Sequence, residues 1–107
     1  MTGRSQCAVI GTWRIIEADL WDRDFLDLVE PAFITFTRMG GDFAFGAVTG
    51  AMDCSYSKTM AFFTWVGNDE MDEASGGGDA ELLENASIEI TLSFDGGDQA
   101  VINAVKQ

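Results

Sequence analysis

The feature that most constrains this chain is the strict alternation of apolar and polar residues in SIEITLSF, at 87–94. A period of two places successive side chains on opposite faces of a β-strand, whereas an amphipathic helix needs a period of 3.6. The next residues, DGGD at 95–98, are typical of a tight turn, and QAVINAV at 99–105 is predicted to be the returning strand. The sequence therefore predicts an antiparallel hairpin with one apolar face.

Most of the remaining chain carries the same β-strand pattern in short segments. A first strand is predicted within AVIGTWRIIEADLW at 8–21, and others at 32–37, 42–48, 51–57, 59–67 and 79–84. The connections are too short for parallel crossovers, so we predict an antiparallel meander of about eight strands. A sheet of this size avoids exposed edges most simply by closing on itself. We therefore expect an all-β fold, a closed or nearly closed barrel that forms a single domain over 1–107.

One segment breaks the strand pattern. In WDRDFLDLVEP, Trp21, Phe25 and Leu28 recur at helical spacing, and charged residues occupy the other face. Acidic residues near the beginning suit the positive end of a helix, and Pro31 is a natural stop. The sequence predicts a short helix or a helical turn over 22–30.

The charge balance limits the classes of partner. The 107 residues include 18 acids and 6 bases, which gives a formal net charge of −12. We expect no nucleic-acid or membrane partner, because nucleic acids and anionic bilayers repel such a surface and no apolar run could span a bilayer. The N-terminus lacks the features of a secretory signal, so a cytoplasmic location is expected. In that compartment Cys7 and Cys54 are expected as reduced thiols rather than as a disulfide.

Among possible catalytic groups, Asp53 is the candidate that the sequence offers. The absence of histidine excludes the common nucleophilic triads and disfavours a zinc site. Asp53 lies in the middle of a predicted strand; burial inside the barrel would raise its pKa and suit a general acid, whereas an outward side chain would be a solvated acid. We favour the second interpretation. No catalytic residue and no cofactor is predicted, and an enzyme that uses carboxylates alone is the third hypothesis.

The most acidic stretch is NDEMDE at 68–73. Clustered carboxylates are the ligands that Ca²⁺ and Mg²⁺ prefer. The stretch lacks the alternating ligands and the distant Glu of an EF-hand loop, so no metal site is predicted.

We predict instead that this stretch is a structural loop. Asn68 or Asp69 is expected to cap a helical turn near 69–74, with Glu70 and Glu73 facing solvent. The three glycines that follow would supply the backbone freedom for entry into the strand at 79–84.

Aromatic residues in two neighbouring strands suggest a function. Small barrels of about eight strands either fill their interior with side chains or hold one small ligand. The leading hypothesis is a soluble barrel that binds a small apolar or cationic ligand. The expected ligand-binding residues are Tyr56, Phe63 and Trp65 in the cavity wall and Asn68, Asp69 and Glu70 at its mouth.

A second hypothesis comes from aromatic residues on the opposite strand faces. Phe33 alternates with Ile34 and Phe36, and Phe62 alternates with Phe63, so some rings must point outward. Outward rings on neighbouring strands form apolar patches, which usually mark interfaces. The alternative function is therefore a homo-oligomeric interaction or regulatory module without catalytic activity, most simply a homodimer.

Two resemblances accompany this interpretation. Gly11-Thr12-Trp13 in the first strand resembles the G-x-W signature of the calycins, that is, the lipocalins and fatty-acid-binding proteins, and implies that Trp13 packs across one end of the barrel. The runs W-R-I…W-D-R-D-x-L-D-L-V-x-P-A-F-I-x-F, G-D-F-A-F-G and F-x-W-x-G-N-D-E-M-D are similar to small bacterial proteins of environmental and mobile-element genes. That family has no assigned activity, so the resemblance implies no catalytic residue.

Overall fold

In a computed structural model that describes residues 8–28 and 30–107, the chain forms a closed antiparallel barrel. Each strand pairs with the next along the chain, and the last strand pairs with the first. Within the described residues the elements are β1 Gly11–Ala18, α1 Arg23–Leu26, β2 Phe33–Phe36, β3 Gly40–Phe45, β4 Val48–Tyr56, β5 Met60–Asp69, β6 Asp72–Leu82, β7 Ser87–Phe94 and β8 Gln99–Lys106. The prediction of an all-β meander that closes into a barrel is confirmed.

Closure follows from the apolar face of every strand. Alternate side chains point inward, and in β7 these are Ile88, Ile90 and Leu92, all nearly inaccessible to solvent. The final ladder joins β8 to β1, with Ala104 opposite Ile15, and a bulge in β1 follows Ile15. Because β1 and β8 pair with each other, neither leaves an open sheet edge.

The barrel has two ends of different construction. One end holds the β1–β2 connection, which includes α1, and the turns β3–β4, β5–β6 and β7–β8; we call it the helix end. We call the opposite end the terminal end. Trp13 is buried near the terminal end, where its indole N–H donates to the Val9 carbonyl at 2.8 Å. The Lys106 ammonium lies 4.9 Å from the centre of the same ring. Trp13 is therefore part of the core at this end of the barrel.

The helix is shorter than the predicted range of 22–30. It begins after Asp22, whose carboxylate accepts the Phe25 N–H at 2.9 Å, and it ends at Leu26. Tertiary contacts end it there: the Leu26 carbonyl accepts the Gly46 N–H at 2.7 Å, and Asp27 accepts the Ala32 N–H at 2.9 Å. These bonds direct the chain into β2 instead of a further helical turn.

The prediction of a loop at 68–78 is wrong. The strands β5 and β6 pair continuously up to Asp69 opposite Asp72, and a two-residue turn, Glu70-Met71, joins them. Neither Asn68 nor Asp69 caps a helical turn, because each is part of β5. Glu70 takes the left-handed backbone conformation (φ 59°) that a tight hairpin requires at its first turn position. Glu70 and Glu73 are exposed, as predicted.

The glycines that follow belong to the interior of β6. Gly76 lies opposite Trp65 and Gly78 lies opposite Phe63. A Cβ atom on Gly78 would come within 2.8 Å of the Phe63 ring and 2.2 Å of the Thr91 carbonyl oxygen. The sequence interpretation missed this role because small residues opposite large rings become visible only once the strand register is known.

Candidate functional site

The residues that were predicted to form the cavity wall lie in different parts of the barrel. Phe63 and Trp65 point inward and are buried, as expected. Both rings pack against other rings, Phe63 against Phe36 with centroids 6.1 Å apart and Trp65 against Phe43 at 5.2 Å. Both side chains therefore belong to the packed aromatic interior of the barrel.

Tyr56 lies at the terminal end, far along β4 from the turn that joins β3 to β4. It is half-buried, and its hydroxyl hydrogen-bonds to the Thr37 carbonyl, which begins the β2–β3 turn. The hydroxyl thereby ties β4 to this turn. Tyr56 and the residues predicted at the cavity mouth consequently lie at opposite ends.

The three predicted mouth residues point in different directions. By strand alternation Asn68 lies on the outer face of β5, where it borders a surface groove with Glu73 and Ser75. Glu70 is in the hairpin turn and is exposed. Asp69 has the inward register and lines a concave site at the helix end.

This concave site, which we call the mouth site, has a volume of about 410 Å³. Three connections contribute to it, because successive turns of an up-and-down barrel meet at the same end. Its lining comes from the segment before α1, the end of β5 and the β7–β8 turn. The residues are Leu20, Trp21, Asp69, Phe94, Gly97 and Asp98.

An aromatic cluster forms the floor of the mouth site. Trp21 packs against Phe45 with ring centroids 5.0 Å apart and against Phe94 at 6.2 Å. Phe94 in turn meets Trp65 edge to face at 5.2 Å. The Trp65 indole N–H donates to the Ser93 carbonyl at 3.2 Å, which fixes the ring beneath the site. Trp65 thus packs against Phe94, one of the rings of the floor.

Two carboxylates complete the mouth site. Asp69 and Asp98 are exposed, and neither side chain forms a salt bridge or hydrogen bond with a residue that the structure describes. None of the lining residues carries a positive charge. The site therefore combines an apolar aromatic floor with uncompensated negative charge.

The other candidate groups are separate from the mouth site. Asp53 is exposed on the outer face of β4, as the favoured interpretation predicted. Its neighbour Cys54 is a free, half-buried thiol, and burial raises its pKa, with the nearby Asp53 charge acting in the same direction and a hydrogen bond from Tyr56 opposing it. A thiol held in its protonated form is a poor nucleophile. Cys7 lies outside the described residues.

Two features are absent from residues 8–28 and 30–107. No group of three or more acidic or thiol side chains is arranged to hold a metal ion. In the same residues no helix has the length and apolar character needed to cross a membrane.

Comparison with known proteins returned no match to a family model, to a curated protein or to a solved structure.

Sequence reasoning found Asp69 but missed Trp21, Phe94 and Asp98. The order of the predicted strands contained a signal that could have found these three residues. In an antiparallel meander every second connection lies at the same end, so the β1–β2, β5–β6 and β7–β8 connections must converge. Trp21 and the DGGD turn belong to two of these connections, and Phe94 directly precedes that turn.

Proposed function

We propose that the protein is a small-ligand-binding barrel whose ligand sits in the mouth site at the helix end. The observation that supports this proposal is the exposed side of the aromatic floor. There Trp21 and Phe94 are only partly buried and are bordered by unpaired carboxylates. Ligand sites are usually concave, apolar and equipped with a few polar groups that orient the ligand. A volume of about 410 Å³ is within the usual range for such sites.

The packing of the interior supports this position for the ligand. An eight-stranded barrel has room either for side chains or for one small ligand. The rings of Phe36, Phe43, Phe63 and Trp65 already pack against one another inside the barrel. A ligand at the mouth can bind without displacing these rings. A ligand in the interior would have to displace them, and the favourable packing between the rings would be lost.

Binding can be measured with N-phenyl-1-naphthylamine, an uncharged probe whose fluorescence rises in apolar surroundings. We expect saturable binding accompanied by a shift of the Trp21 indole N–H resonance. The resonance of Trp13, at the terminal end, should stay unchanged, because its indole N–H is bonded to the Val9 carbonyl in the buried core. Saturable binding without a Trp21 shift, or no binding at all, would contradict the proposal.

A matched pair of variants locates the site. Gly97 lines the mouth, and a Cβ atom there would have no contact closer than 3.4 Å, so Gly97→Leu adds an apolar side chain to the site without a backbone clash. Thr59→Leu adds the same side chain in the exposed β4–β5 turn at the terminal end. Gly97→Leu should weaken probe binding at least about tenfold, the effect of losing roughly 1.4 kcal/mol, while Thr59→Leu should leave it unchanged.

A second candidate function is self-association as an interaction module. The outer face of β5 exposes Phe62 by 45% and Val66 by 65%, with the uncharged Ala51 and Thr64 next to them. The strip carries no charge of its own, although Asp53 lies opposite Thr64 and Asp79 lies opposite Phe62 at its borders. Its exposed apolar side chains are the observation that favours an interface with a second copy.

A further inference from the structure

We propose that the ligand of the mouth site is an organic cation, an alkylated or protonated amine attached to a small apolar body. This inference rests on the proposed function and adds the charge of the ligand to it. Three independent properties carry it: the distribution of charge over the whole barrel, the chemistry of the site lining, and the absence of a built metal site among the described residues.

The two ends of the barrel differ in charge. The connections at the helix end, residues 19–32, 46–47, 70–71 and 95–98, contain eight acids and one base, Arg23. The turns at the terminal end, residues 37–39, 57–59 and 83–86, contain one acid and two bases. The molecule therefore presents a negative potential around the mouth site, which attracts cations and repels anions.

The lining favours an organic cation over a neutral or anionic ligand. Aromatic faces attract cations through the negative charge of their π-systems, and tryptophan does so most strongly. Trp21 lines the site and its ring is only partly buried, and Asp69 and Asp98 provide counter-charges that no described side chain neutralises. An anion of the same size would meet two carboxylates without a compensating donor side chain.

The lining also favours an organic cation over a metal ion. Divalent metals need several oxygen ligands converging at 2–2.6 Å, and no such set of three occurs among the described residues. Leu20, Trp21 and Phe94 instead offer apolar surface, which a hard, hydrated ion cannot use. Methyl or methylene groups around a positive nitrogen can contact this surface while the charge faces the acids.

Choline and its uncharged carbon analogue, 3,3-dimethylbutan-1-ol, test the inference because they have the same shape and differ only in charge. Each is titrated into the wild-type chain at low ionic strength, with the Trp21 indole resonance as the readout and Trp13 as the internal control. We expect choline to bind at least about tenfold more tightly than the alcohol. Added salt should reduce this preference, because it screens the exposed charges.

Two variants assign the preference to the mouth site. Asp69→Asn removes a carboxylate that lines the site, and Asp53→Asn removes the same charge from the outer face of β4. Asp69→Asn should reduce the preference for choline to about threefold or less, mainly by weakening the binding of choline. Asp53→Asn should leave the preference close to that of the wild type.

The outcomes separate this inference from the proposed function. If the probe, the alcohol and choline all shift Trp21 with equal affinity, the mouth site binds ligands and the inference of a cationic ligand is overturned. If Asp53→Asn lowers the preference as much as Asp69→Asn, the preference comes from net charge, and the assignment to the mouth site is overturned. If neither choline nor the alcohol shifts the Trp21 resonance, the inference of a cationic ligand is overturned. If N-phenyl-1-naphthylamine also fails to shift it, the proposed function is contradicted as well.

Discussion

Individual glycines decide how the large rings fit inside this barrel. Gly50, Gly76 and Gly78 occupy inward positions beside Phe43, Trp65 and Phe63. A Cβ atom on Gly50 would be 2.5 Å from the Phe43 ring, and one on Gly76 would be 1.8 Å from the Ser93 carbonyl oxygen. The missing side chains therefore allow both the aromatic packing and the close approach of neighbouring strands.

Gly78→Ala tests this role. The added methyl group would lie 2.8 Å from the Phe63 ring and 2.2 Å from the Thr91 carbonyl oxygen, so side chain and backbone must shift. Overpacking of this kind costs roughly 1–3 kcal/mol. We expect the free energy of unfolding, measured by urea denaturation, to fall by about that amount.

Gly77→Ala is the matched control for the Gly78 variant. Gly77 is the next residue in β6 and faces outward, where a Cβ atom would meet only the Phe63 carbonyl oxygen, at 3.2 Å. The two variants change the same residue type in the same strand and differ in the face they affect. Equal losses of stability in both would mean that strand propensity, and not packing against Phe63, explains the glycine.

Among the elements, α1 is anchored by side chains rather than by its own length. It has four residues, too few for a stable isolated helix. The Arg14 guanidinium donates two hydrogen bonds to the Asp27 carboxylate, at 2.8 and 2.9 Å, and Asp27 also accepts the Ala32 N–H. The helix thereby stays next to β1, and Trp21, two residues before the helix begins, stays in the floor of the mouth site.

The Asp27 anchor predicts a defined pH dependence. Hydrogen bonding to Arg14, and then to the Ala32 N–H, holds the pKa of Asp27 well below its usual range. A carboxyl group whose pKa is lower in the folded state stabilises the fold at pH values above its unfolded pKa, near 4, and loses that contribution as the pH falls further. Asp27→Asn should therefore lower the melting temperature at pH 7, and the difference from the wild type should shrink below about pH 4.

Asp24→Asn provides the comparison for the anchor. Asp24 lies in the same helix, is exposed, and forms no salt bridge or side-chain hydrogen bond with the described residues. Its melting-temperature difference from the wild type should be small at every pH between 7 and 2.5. If the difference for Asp27→Asn stays constant over this range, the carboxylate charge does not contribute through Arg14.

At the scale of the whole molecule, the outer face of β5 predicts self-association. We expect the wild type to sediment with about twice the chain mass of 11.6 kDa at high concentration. Val66→Glu should shift the equilibrium toward the monomer, because it places a charge in the strip that contains Phe62. Val105→Glu makes the same change on exposed β8 and should leave the association constant unchanged. Sedimentation of the wild type at 11.6 kDa at all concentrations would contradict the prediction.

The sequence by itself determined the fold class and most of the strands. Alternation such as that of 87–94 is a local property, because in a strand the side-chain direction depends only on the parity of the position. Short connections required antiparallel pairing, and the number of strands favoured closure. The inward direction of Phe63 and Trp65 followed from the same parity.

Only the tertiary structure decided where the acidic segment, the helix and the candidate site lie. Residues 68–78 carry loop-like composition, yet β6 pairs with β5 from Asp72 onward and with β7 from Gly76 onward, and those ladder hydrogen bonds outweigh local preference. The helix stops where Asp27 and Gly46 bond to other segments. The mouth site depends on residues as distant as Trp21 and Asp98, which meet because the barrel closes and sets the register between its first and last strands. Such contacts are fixed by the whole ladder, so no local segment of the sequence encodes them.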